Sequence, residues 1–223
     1  MNSSRITVPA GLAVAGLSLA TYPLLRPYGP EKGLAGAHDF GSTAWLVAHA
    51  LGMVGFVALA FALRAAVVAT PWAWTGQPVR RAETRAWLAV TLLLPYYGAE
   101  AYGLNQVGRY ATDHDTGVLD VADAFRYAPF EVTTFSIGLL LLGLVGGRFA
   151  HGLWHSGRVG RTGGLMAGVG LMTYLPQFFT SPQVRMVHGL VLGTGLVLAA
   201  VAARRSQATP SEPRPERVPV SSS

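Results

Sequence analysis

The chain has 223 residues, of which 51% are hydrophobic and only 13% charged. An average soluble domain carries about 25% charged residues, so this composition excludes an ordinary soluble fold. The net charge of +6 is scattered around apolar segments rather than gathered in one patch, which argues against nucleic-acid binding. Cysteine is absent, which removes disulfides, thiolate metal sites and a cysteine nucleophile.

Six apolar stretches are long enough to be read as membrane-crossing helices: 6–25, 43–69, 86–107, 129–150, 163–179 and 182–203. They predict an all-α fold, a polytopic transmembrane helical bundle over residues 1–205. The first stretch follows Arg5 as a secretory signal would, but it runs on to Thr21-Tyr22-Pro23 without a small-residue cleavage site. It is therefore read as a retained helix. Pro129 after Ala128, and Pro182 after Ser181, mark helix starts. Between the third and fourth stretches, residues 118–127 place Val118, Ala122 and Phe125 on one face, as in a short amphipathic helix on the outer surface. Residues 206–223, rich in Ser, Pro, Glu and Arg, predict a disordered cytoplasmic tail. Glycines four apart, Gly143/Gly147, Gly164/Gly168 and Gly189/Gly193, predict close helix packing within the chain.

Basic residues orient the bundle. Twelve Lys and Arg fall on the side of the termini, and five on the other side, among them Arg26, Arg126 and Arg185. The positive-inside rule then places both termini in the cytoplasm of a cell membrane.

Within this frame Glu100 stands out, because a carboxylate at membrane depth costs roughly 2.5–3.5 kcal/mol unless it faces the protein interior. At 1.5 Å per helical residue it lies roughly 10 Å below the outer boundary, with His49 and His188 at roughly 9 Å. Tyr96, Tyr97 and Tyr174 fall near the same level, and Asn105, Gln106, Glu131, Gln177 and Arg185 nearer the rim. Polar residues of five helices thus concentrate in the outer half. Pro95 and Pro176 are expected to kink their helices beside them.

His151 and His155 have half the spacing of a metal site but no third ligand, and a helix C-terminus explains them without a metal. The acids around Asp113-His114-Asp115 lack the glycine of a calcium loop. Nucleotide-binding, GxSxG and HExxH motifs are absent.

Two stretches carry a resemblance. STAWLVAHALGMVGF (42–56) is one. GLWHSG (152–157), continuing through YLPQFF (174–179) to VRMVHG (184–189), is the other. They resemble multi-pass integral membrane proteins of high-GC bacteria. The resemblance implies a helical bundle in a bacterial cytoplasmic membrane and carries no catalytic residue across.

The leading expectation is a membrane protein with an outward-facing polar cavity, its partners the bilayer and a small or lipophilic ligand, or else a place in a membrane complex. Glu100, His49, Tyr96, Tyr97, Asn105, Glu131, Tyr174 and His188 are the candidate site residues, with no metal and no cofactor. One alternative is an enzyme acting on a lipid or isoprenoid substrate with Glu100 as general acid or base. Another is a b-type haem protein with His49 and His188 as axial ligands.

Overall fold

A computed structural model describes residues 3–68 and 77–208. Among these, nine α-helices follow one another: α1 (Ser3–Leu25), α2 (Gly33–Gly41), α3 (Thr43–Val68), α4 (Gln77–Gly98), α5 (Leu104–Asp113), α6 (Asp120–Arg126), α7 (Pro129–Gly152), α8 (Gly157–Met172) and α9 (Pro182–Ala208). A π-helical turn (Ala99–Gly103) joins α4 to α5, and 3-10 turns occupy Thr116–Leu119 and Pro176–Phe179. The all-α expectation holds.

Six long helices form a closed ring in which α1 packs on α3, α3 on α4, α4 on α7, α7 on α8, α8 on α9 and α9 back on α1. Leucines, alanines and a few aromatic rings, Phe56 and Phe149 among them, fill its centre. The outer face is apolar: Leu17, Phe61, Leu140, Leu144 and Val187 are all more than half exposed. Such a surface is a liability in water and the normal face of a helix in lipid.

Four of these helices are long and apolar enough to cross a membrane: Val8–Leu25 within α1, α3, α7 and α9. The other two sequence-predicted spans do not meet that measure, and their bounds differ from expectation. The third begins at Gln77 rather than near 86, so it opens with Arg80, Arg81, Glu83 and Arg85, and it continues through the π turn to Asp113. The fifth has 16 residues and stops at Met172. Pro176 therefore does not kink a helix; it takes the first position of the following 3-10 turn, where its missing N–H is not needed.

Glycine sets the spacing along α1, α8 and α9. A Cβ on Gly16 would stand 2.7 Å from the Gly193 carbonyl oxygen, and one on Gly163 would stand 2.7 Å from the Ala199 nitrogen. Gly164, Gly168, Gly189 and Gly193 all lie at such crossings, as the four-residue spacing predicts. Gly143 and Gly147 do not: the nearest atoms to their added Cβ are at 3.6 and 3.9 Å, and their neighbour Gly146 makes the tight contact instead.

A second, smaller core closes one end of the ring. Ala37 and Phe40 of α2, Trp45 of α3, Leu104 and Ala111 of α5, Leu119 of the 3-10 turn and Ala122 of α6 form it. The amphipathic segment near 118–127 is thus present as a 3-10 turn and α6, packed into this cap. The sequence reading does not contain α2. Its nine residues include three glycines, and the first, Gly33, takes a φ of 59°. At the other end of the chain α9 runs to Ala208, and residues 209–223 of the expected tail lie outside the described residues.

Candidate functional site

Pro95 leaves the Thr91 carbonyl without its helical donor, and one turn later the helix widens into the π turn that carries Glu100. The Glu100 carbonyl accepts the Trp45 indole N–H at 2.6 Å. Trp45 is itself placed by the start of α3, where Ser42 Oγ accepts the Trp45 backbone N–H at 3.1 Å as an N-cap. The irregular turn is therefore tied to a neighbouring helix through its own backbone.

The Glu100 side chain is buried and paired. Arg126, at the end of α6, donates Nε–H to Oε1 at 2.6 Å and Nη2–H to Oε2 at 2.7 Å, a bidentate grip. Its third nitrogen, Nη1, donates to Glu31 Oε2, and Glu31 Oε1 accepts from Arg26 Nη2 at 2.7 Å. Arg26 lies 4.7 Å from the Trp45 ring centre and 4.9 Å from that of Tyr28, and Arg126 lies 5.2 Å from that of Phe40. Charges thus alternate along the chain Arg26, Glu31, Arg126, Glu100, with Glu31 the most exposed of the four. Burial alone would raise the Glu31 carboxyl, but the Arg126 and Arg26 guanidiniums outweigh it and hold the group below its ordinary value. Burial would lower the Arg126 guanidinium, and Glu100 and Glu31 more than reverse that, raising it further.

His49 ends the chain of charges. Its Nδ1 donates to the Trp45 carbonyl at 2.8 Å, and its Nε2 lies 3.7 Å from Glu100 Oε2, beyond hydrogen-bond reach. Tyr22 meets the imidazole edge-on at 5.4 Å, and Trp45 lies tilted against it at 4.5 Å.

Beside this network lies a half-open cavity of about 620 Å³. Tyr22, His49, Tyr96, Tyr97, Glu100 and Arg126 line it, together with Phe135, Leu175, Phe178, Phe179 and Arg185. Tyr96 stacks on Phe135 at 4.2 Å. The mouth is aromatic, with Tyr127 72% and Phe179 85% exposed.

Of the residues expected from sequence, the structure brings Glu100, His49, Tyr96 and Tyr97 together at this cavity. Tyr174 and His188 form a neighbouring group: the Tyr97 and Tyr174 hydroxyls are 3.4 Å apart, and Tyr174 meets His188 edge-on at 5.5 Å. His188 Nε2 donates to the Gly170 carbonyl at 2.8 Å, joining α9 to α8. Asn105 is also buried, with Nδ2 donating to the Phe40 and Ser42 carbonyls at 2.9 and 3.0 Å, so it fastens α5 to the end of α2. Glu131 stands in the first turn of α7 and, like Asn105, Tyr174 and His188, is not among the cavity-lining residues. No three His, Cys, Asp or Glu side chains among the described residues are grouped to hold a metal ion.

Sequence reasoning did not find Arg126, Arg26, Glu31 or Trp45 as site residues. It used the two arginines only to orient the bundle. The available signal was Glu100 itself: a buried carboxylate requires a cation, and Arg126 lies on the short amphipathic segment that the sequence shows at 118–127.

Comparison with protein-family models, with curated proteins and with solved structures finds no significant match to this chain. Fold and site together define an all-α protein with four helices able to cross a membrane and a capped, ion-paired cavity at one end of the bundle.

Proposed function

We propose that this chain is a multi-pass protein of a bacterial cell membrane that binds a small lipophilic ligand in the cavity beside Glu100. In this reading all six long helices cross, both termini are cytoplasmic, and the capped end faces outward. The closed ring supports six crossings, since α4 and α8 each contact two neighbours that meet the length and hydropathy measure. The observation that carries the ligand reading is the cavity wall: stacked aromatic rings on one part, a neutralised ionic chain on the other, and an aromatic mouth. Lipophilic sites have this composition, with mostly apolar walls and a few placed polar groups.

The bidentate Arg126 contact argues against Glu100 as a general acid, because both oxygens already accept N–H bonds. The path from His49 to His188 runs through Tyr97 and Tyr174, and His188 Nε2 is engaged by Gly170. That arrangement favours packing roles over a shared haem.

Two measurements test the proposal. Reporters fused after Arg205 and within 112–117 should read inner and outer respectively; the reverse result overturns the orientation. Mass analysis of protein purified in native nanodiscs should find a retained lipophilic molecule, and Ser136→Trp, which puts an indole into the cavity that Ser136 lines, should lose it. Equal retention by a folded Ser136→Trp variant places the ligand elsewhere.

A further inference from the structure

The tautomer of His49 narrows what the cavity holds, and the argument rests on the ligand-binding reading above. A backbone carbonyl only accepts, so the 2.8 Å approach of Nδ1 to the Trp45 oxygen fixes a proton on Nδ1. At 3.7 Å Nε2 does not donate to Glu100 Oε2, which already receives Arg126 Nη2–H at 2.7 Å. With the imidazole neutral, Nε2 is an acceptor facing a second acceptor. His49 is 2% and Glu100 6% exposed, and both line the cavity. No protein group donates to Nε2 and His49 lines the cavity, so the donor for this acceptor comes from the cavity side.

Charge decides which donor. The wall carries Arg26, Arg126 and Arg185 against Glu31 and Glu100, one positive charge in excess. An ammonium head would be repelled by that excess. A carboxylate or simple phosphodiester head has no hydrogen to give to Nε2. A neutral hydroxyl meets both conditions, and it needs little further desolvation of charge.

We infer that the ligand is a neutral hydroxylated amphiphile, with its O–H donating to His49 Nε2 at the buried end and its apolar body along Tyr96, Phe135 and Phe178. The exposed Phe179 at the mouth continues that apolar path outward. His188 presents no such demand, because its Nε2 is already bonded to Gly170.

The test compares dodecanol with its isomer undecyl methyl ether, which has the same number of heavy atoms and accepts but cannot donate. The whole protein is held in nanodiscs of a neutral phospholipid, the probes are matched in membrane mole fraction, and binding is counted by native mass spectrometry. The wild type should bind the alcohol about tenfold better than the ether, the worth of one good hydrogen bond. His49→Phe keeps an aromatic ring and removes the acceptor, and should bind both probes alike. Equal binding by the wild type overturns the hydroxyl assignment while leaving the ligand-binding reading in place, and it needs no variant to fold. An alcohol preference that survives in His49→Phe removes His49 from the account. Binding of neither probe overturns both this inference and the cavity reading.

Discussion

Along α1, α8 and α9 the bundle is held by backbone nearly touching backbone, whereas at the capped end it is held by side chains reaching across sequence. Gly16 and Gly193 admit no side chain at all between their helices. Arg126 and Glu100 come from separate elements and meet through two short hydrogen bonds. The first kind of contact is made of small residues, so it is dense, apolar and indifferent to pH. The second excludes water imperfectly, depends on charge, and leaves a cavity beside it. A lipophilic site belongs with the second, because a backbone-tight crossing has no room to give.

That difference is open to direct attack. The largest effect should come from deleting one charge: Arg126→Gln leaves Glu100 buried without its cation and should destabilise the protein by about 3–5 kcal/mol. Unfolding in mild detergent with added denaturant reads this, and a loss below about 1 kcal/mol would mean that water or another group already compensates Glu100. A smaller loss, about 1–3 kcal/mol, should follow Gly193→Ala, since the added methyl meets the Gly16 carbonyl and Ala20. Gly147→Ala, whose added Cβ finds only Met172 Sδ at 3.9 Å, serves as the control and should stay near wild type.

The smallest effect is pH dependence confined to the cap. Glu31 has a folded pKa below its ordinary 4.5. The stabilisation it contributes is therefore complete above that value and is lost as pH falls through the lowered one. Hydrogen exchange at residues 99–128, relative to its intrinsic rate, should accelerate as pH falls through that lowered value while the α1–α9 crossing stays protected. Uniform acceleration of both regions would erase the contrast.

The same contrast explains what was legible in the sequence. Apolar length marked most of the long helices, prolines marked the starts of α7 and α9, and glycine spacing marked two of the three tight seams. The end of α8 was missed because residues 173–179 stay apolar and aromatic after the helix has turned. The nine residues of α2 were missed because a short, glycine-rich helix has little periodicity to show. At the site, helical depth was enough to group Glu100 with His49, Tyr96 and Tyr97, because rise per residue is a local property. It placed Tyr174 and His188 at the same level but not on the same side, since depth says nothing of azimuth. Partners were harder still. Arg126 reaches Glu100 across 26 residues of chain, only after the 3-10 turn before α6 packs on α2 and α5, so no local pattern announces the pair. Asn105 looked like a ligand group by its polarity and is occupied by the carbonyls at the end of α2.

The central claim is that Glu100 and Arg126 act as one unit that couples the cap to the bundle at the cavity wall. A double-mutant cycle with Glu100→Gln, Arg126→Gln and both together measures it most directly, with unfolding free energy as the readout. The account predicts a coupling of about 2–3 kcal/mol, with the double variant markedly more stable than the sum of the singles implies. Additive losses would contradict it, and would mean that the two side chains are neighbours rather than partners.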